Sequence, residues 1–380
     1  MTTSATTDRW IANDRDRTWS SPDQDDAALN FHRSLTGYAP TALIALPELA
    51  AELGVAAVFA KDESTRQGLP AFKALGASWA VHRALEASQA DPGAEVVTAT
   101  DGNHGRAVAR FAREADRPAR IFVPAGGIHP SAVAAIRGEG AEVVELEANY
   151  DQTVAAAADY AAANAGVLVQ DTAWDGYEEV PGWIVEGYST LFHEIDSQLA
   201  AAGHHAPDLI CVPTGVGSLL QAALAHYRRS GSNPERGSTA GPGTQAGRAD
   251  HTAVVSVETE AAACMGPSLR AGHPVTVKTG QTIMSGLNCG TPSSVAWPLV
   301  RDGLDAAVTV SDSAAVEAAH RLAELGVAAG PCGAASLAGV REAIGGAEKE
   351  DRRRHLGVDA SSVIVLTVTE GSDANPVPEV

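Results

Sequence analysis

The chain is short of cysteine, of positive charge and of long apolar runs, and each shortage excludes something. Its four cysteines, Cys211, Cys264, Cys289 and Cys332, lie far apart with no C-x-x-C pair. That pattern argues against a disulfide framework or a zinc or other metal site, and reads as reduced thiols in a cytoplasm. Lys and Arg number 27 against 47 Asp and Glu, for a formal charge of −20. A surface this acidic repels phosphate, which argues against nucleic acid or a membrane surface as partner. A small anion held by backbone donors is still allowed. No apolar run reaches membrane-spanning length. The polar start "MTTSATTDRWIANDRDRTW" has no hydrophobic signal core, so export is not expected.

What is present is an ordinary globular composition, 45% hydrophobic over 380 residues, enough for one large or two modest domains. Strand and helix signals alternate. "AEVVTAT" (94–100), "ARIFVP" (119–124), "AEVVELE" (141–147), "DLICVP" (208–213), "AVVSVE" (253–258), "AAVTVS" (306–311) and "SVIVLTV" (362–368) read as strands. Alanine-rich helical stretches lie between them. The alternation predicts α/β architecture with open, mainly parallel sheets and helices on both faces. The strands are too few and too unevenly spaced for an eightfold barrel. "RRSGSNPERGSTAGPGTQAGRAD" (228–250) is poor in apolar residues and reads as a mobile surface insertion. The first twenty or so residues and the last few are expected to fray.

Three glycine-rich turns follow strands: "TDGNHG" (100–105), "PTGVGSLL" (213–220) and "TEGSD" (369–373). In open α/β sheets ligands bind beyond the carboxyl ends of strands. "TGVGS" runs into the helix-like "LLQAALAHY", an anion cradle that needs no lysine. It also fits a tight turn that holds nothing. It is no Walker loop, and Leu220 stands where a dinucleotide fingerprint needs its third glycine, so a nicotinamide enzyme is disfavoured.

One lysine is out of place. Lys73 sits in "GLPAFKALGASW" (68–79), among apolar, small and aromatic neighbours. A helical lysine commonly snorkels to water. In these surroundings it has no polar face, and desolvation favours its free amine, which attacks carbonyls to form imines. A lysine imine and a lysine-free phosphate cradle together suggest pyridoxal phosphate.

Five motifs carry a resemblance: "KDESTRQGLPAFKALG", "TATDGNHGRAVA", "QDTAWDGYEEVPGW", "PTGVGS" and "IMSGLNCGTPSSVAW". They resemble the diaminopropionate ammonia-lyases, pyridoxal-phosphate enzymes of the tryptophan-synthase-β fold type (fold type II), over about residues 35 to 373. The resemblance implies the following roles. Lys73 matches the Schiff-base lysine, and Asn103 the residue that bonds the cofactor's phenolic oxygen. Gly215, Val216, Gly217 and Ser218 match the phosphate loop. Thr369 matches the hydroxyl residue facing the pyridine nitrogen, which leaves the ring neutral and suits prompt β-elimination. Asp101 and Asp171 match the two catalytic acids. Asp101 or Lys73 would take the Cα proton, and Asp171 would bind or protonate the β-amine. Both carboxylates are charge-complementary to the second ammonium of 2,3-diaminopropionate. From the residues alone, Asp101 also fits a helix cap and Asp171 an Asx turn. His104 is read as a neighbour of the cofactor with no proton transfer. Cys332, in "GPCGAASLAG" (330–339), departs from the serine expected there and reads as a small buried residue at a helix start.

The expected activity is elimination of ammonia from 2,3-diaminopropionate with pyridoxal 5'-phosphate, giving pyruvate and ammonia. The alternatives are a serine/threonine ammonia-lyase and a binding protein that kept the fold and lost catalysis. Residues 1–76 and 176–380 are expected to form a large cofactor-binding domain, and 77–175 a smaller α/β domain. By analogy the enzyme is a cytoplasmic homodimer whose partner is a small amino-acid substrate.

Overall fold

The β-branched runs become the sheets. In chain order the strands are β1 (Trp10–Ala12), β2 (Leu43–Ala45), β3 (Ala57–Asp62), β4 (Val96–Ala99), β5 (Ala119–Pro124), β6 (Glu142–Leu146), β7 (Val167–Leu168), β8 (Leu209–Pro213), β9 (Ala253–Thr259), β10 (Ala306–Val310) and β11 (Val363–Val368). The computed structural model describes residues 9–88, 91–100, 102–126, 128–230, 251–346 and 348–378. All seven strands read from sequence are among these elements. β1, β2, β3 and β7 were not anticipated.

Two contact-dense units result. Among the described residues, the first comprises 9–24, 41–63, 194–230, 251–346 and 348–378, and the second 25–40, 64–88, 91–100, 102–126 and 128–193. The first unit holds the order β1-β10-β9-β8-β11-β3-β2. The five inner strands run parallel, and β1 and β2 are antiparallel edges. Every residue of β8, β9, β10 and β11 is buried. Helices on both faces of a parallel sheet leave no strand face for water, so the strands are nearly continuous apolar runs. Helix Pro331–Ile344 presses on this sheet through Gly339, where a Cβ would lie 2.3 Å from Val257.

Residues 9–15 are tied down, contrary to the fraying expected of them. β1 pairs with β10, Asn13 Nδ2 donates to Leu304 O at 2.9 Å, and Arg15 Nε bonds Asp305 Oδ1 at 2.9 Å. The expected insertion starts too early for the same reason. Arg228 is buried, donating to Gly303 O and Thr252 O at 2.8 Å and to Asp305 Oδ2 at 2.5 Å. Residues 231–250 of that stretch, and residues 1–8, lie outside the described residues.

The second unit carries the all-parallel order β6-β5-β4-β7. Val97, Ala99 and Phe122 pack there on Ala157 and Ala161 of helix Tyr150–Ala163. The unit is wider than the 77–175 segment expected from sequence. It takes in the whole of helix Lys73–Ser88, which crosses helix Glu179–Ala201 at two glycines. A Cβ on Gly76 would lie 2.5 Å from the Tyr188 ring, and one on Gly187 2.5 Å from Leu75 O. Only glycine permits that approach.

Candidate active-site residues

In the second unit, Lys73 is the first residue of its helix. Its Nζ donates to Asp171 Oδ2 at 2.8 Å. The Lys73 side chain is 27% exposed and that of Asp171 15%, so the pair is shielded yet open to a small molecule. Burial opposes the carboxylate charge, but Lys73 and then His104 outweigh it and bring Asp171 down to about 2. His104 is buried, and its Nε2 lies 2.9 Å from Val169 O. A carbonyl only accepts, so Nε2 carries the proton. Burial lowers the His104 pKa, with Asp171 opposing and Lys73 assisting. Its Nδ1 lies 3.9 Å from Asp171 Oδ2 and has no hydrogen-bond partner among the described residues. Tyr188 is fully buried; burial pushes its phenol up to about 12, and Lys73 pulls it part of the way back.

Asn103 opens helix Asn103–Glu114, following Gly102 at φ 150°. The turn is held by Thr100, whose Oγ1 accepts from Gly102 N and Gly105 N at 3.0 Å each. Asp101 lies outside the described residues, so its role stays an expectation from sequence.

In the first unit, the 214–218 turn leaves β8 and enters helix Ser218–Tyr227. Thr214 N donates to Val257 O and Ser293 N to Val216 O, each at 2.8 Å. Gly217 has φ +107°, and a Cβ on Gly215 would lie 2.8 Å from Gly286 O and 3.1 Å from Cys289 Sγ. Positions 215 and 217 therefore accept only glycine without strain. The first amides of a helix have no intrahelical acceptor and favour an anion. Thr369 follows β11 directly and is 4% exposed. Gly333, in the first turn of helix Pro331–Ile344, would place a Cβ 2.7 Å from Glu370 O and 3.2 Å from Thr369 N. Cys332, beside it, is buried at the helix start as expected.

These residues fit pyridoxal phosphate: a partly exposed lysine amine, a glycine-only cradle at a helix start and a hydroxyl at a strand end. The pattern of the pyridoxal-phosphate dependent enzyme family matches residues 35–368. The chain belongs to that family. Diaminopropionate ammonia-lyase of Salmonella typhimurium is 34% identical over 92% of this chain and 89% of that protein. The Escherichia coli K12 enzyme of the same name is 31% identical over 92% and 89%. The crystal structure of the Escherichia coli enzyme with an aminoacrylate–PLP azomethine intermediate superimposes with a TM-score of 0.82, at 30% identity, covering 96% of this chain and 94% of that one. The chain is thus a member of the diaminopropionate ammonia-lyase family, with the tryptophan-synthase-β-like fold of type II pyridoxal enzymes.

Sequence reasoning missed Thr100 and Gln170. Both are buried hydrogen-bond hubs. The signal for Gln170 was a lone amide closing the apolar run "GVLVQ".

Proposed function

We propose that this chain eliminates ammonia from 2,3-diaminopropionate, using pyridoxal 5'-phosphate bound to Lys73. When bound, the coenzyme supplies a sink for the electron pair released at Cα. Lys73 tethers it, Asn103 orients it, the amides and hydroxyl of the Gly215–Ser218 loop take its phosphate, and Thr369 offers a hydroxyl to its ring nitrogen. Lys73, once released by substrate, or Asp101 accepts the Cα proton. Asp171 binds and orients the β-ammonium, which takes the Cβ–N electron pair and leaves as neutral ammonia. The 2-aminoacrylate that leaves is hydrolysed to pyruvate and a second ammonia.

The observation that carries this reading is the Asp171 carboxylate, kept anionic at about 2 and already holding an ammonium at 2.8 Å. The β-ammonium of diaminopropionate is charge-complementary to such a group. The hydroxyl of serine or threonine is not, and a carboxylate shielded beside it would lack its counter-charge. The test compares pyruvate or 2-oxobutyrate release from both diaminopropionate enantiomers, serine and threonine. Faster turnover of serine or threonine than of either enantiomer would overturn the reading.

The partner is a small amino acid. Among the described residues, no helix is long and apolar enough to cross a membrane. We further infer a cytoplasmic enzyme, supported by four free cysteines, three of them buried. A symmetric homodimer, the commonest oligomer, completes the reading, and light scattering tests it.

A further inference from the structure

Gln170 stands immediately before Asp171 and is fully buried. Its Oε1 accepts from Ala99 N and from Thr98 Oγ1, each at 2.9 Å. A backbone N–H only donates, so this contact fixes which end of the amide is oxygen. Nε2 must then face the other way. It donates to Asp171 Oδ1 and to Tyr150 Oη, each at 3.3 Å. The backbone N of Gln170 donates to Tyr177 Oη at 2.9 Å, and that hydroxyl donates to Leu168 O at 2.9 Å. One side chain thus joins the last residues of β4, from which the 100–105 turn leaves, to the carboxylate that holds Lys73.

We propose that Gln170 is a positioning residue for the elimination: its amide aims the Asp171 carboxylate at the ammonium it binds, and fixes that carboxylate to the strand end that carries Asn103. This rests on the functional reading above. The chemistry of the position is narrow. An apolar residue would leave Ala99 N and Asp171 Oδ1 without their partner. A carboxylate would serve Ala99 N but would set a like charge against Asp171. Only a neutral group that accepts at one end and donates at the other satisfies both sides.

The groups facing Asp171 are Lys73 and Tyr188 from the two crossing helices, His104 from helix Asn103–Glu114, and Gln170 and Tyr177 from its own segment. In Gln170→Glu, a second carboxyl replaces the amide whose nitrogen lies 3.3 Å from Asp171 Oδ1, and the two share one proton, as coupled acids do. The protonated form restores the lost donor. The Gln170→Glu holoenzyme is therefore expected to lose about tenfold or more in kcat/KM for diaminopropionate at pH 8.5, and to recover at least roughly fivefold relative to wild type by pH 6. A merely structural role gives a ratio to wild type that does not change with pH. A ratio constant within about twofold, with both proteins folded by circular dichroism, overturns the proposal. Gln170→Met keeps the test alive if the acidic variant does not fold. It is expected to raise KM for diaminopropionate more than it lowers kcat, and kcat/KM within about twofold of wild type overturns the proposal. A third readout separates this inference from the functional reading. If wild type makes no pyruvate from diaminopropionate, the activity is wrong. Carboxyl carbon NMR of the Gln170→Glu holoenzyme then decides on Gln170: uptake of one proton by the pair between pH 5 and 8 supports it, and its absence overturns it.

Discussion

Replacing Asp171 by asparagine removes one charge and keeps the shape. In the structure the carboxylate lies 2.8 Å from Lys73 Nζ and is held at about 2, against an ordinary 3.8. That depression corresponds to roughly 2–3 kcal/mol of preference for the charged form beside a cation. A substrate ammonium in place of that of Lys73 gains a similar amount, so Asp171→Asn is expected to lower kcat/KM for diaminopropionate by roughly 60-fold from binding alone. Loss of the orientation it gives the leaving ammonium adds up to ~10² in kcat. A coupled pyruvate assay on each enantiomer reads both numbers, with coenzyme content checked by absorbance. The same pair sets a stability signature in protein stripped of coenzyme, where Lys73 is a free amine. The folded pKa is depressed, so the contribution is fully present above about 3.8 and is lost as pH falls through about 2. Asp171→Asn should cost about 2 kcal/mol in urea unfolding at pH 7, and progressively less below pH 4. A variant within about twofold of wild type on both enantiomers, or a stability loss that persists undiminished toward pH 2, refutes the reasoning.

Two further outcomes follow from the packing. Gly215→Ala forces a methyl to within 2.8 Å of Gly286 O; it should weaken pyridoxal-phosphate affinity by about 10- to 100-fold, at a strain of roughly 1–3 kcal/mol, in a fluorescence titration. Asp305→Asn uncouples a buried carboxylate, side chain 1% exposed, from Arg15 and Arg228. It should destabilise the first unit by about 3 kcal/mol and speed hydrogen exchange of the amides in residues 9–17. Unchanged exchange there would show that Asp305 does not anchor the segment.

Much of the fold was legible because parallel strands buried on both faces are nearly unbroken apolar runs. Where the run is short or charged, the signal fails. β1 and β2 have three residues each and β7 two. β3 ends in Lys61–Asp62, yet Lys61 is fully buried because its Nζ bonds Glu194 Oε2 at 2.6 Å, Gln198 Oε1 at 2.8 Å and Thr41 O at 2.9 Å. No local pattern announces partners that lie 133 and 137 residues away. The anchoring of Arg15 on Asp305, 290 residues on, is hidden in the same way, which is why the N-terminal segment read as frayed. At the site, residue type marked Lys73, and strand-end position marked the glycine-rich turns at 100–105, 213–220 and 369–373, as worth attention. The family resemblance supplied their roles. The Lys73–Asp171 contact spans 98 residues and the Gln170–Ala99 contact 71, so only the folded chain discloses them.

The central claim is that Lys73 carries the coenzyme, and borohydride reduction of the purified holoenzyme followed by peptide mapping tests it most directly. The account predicts a single stable pyridoxyl label, on Lys73, within the peptide that contains "GLPAFKALG". A label on Lys61, Lys278 or Lys349 instead, or no label with coenzyme in excess, would contradict it.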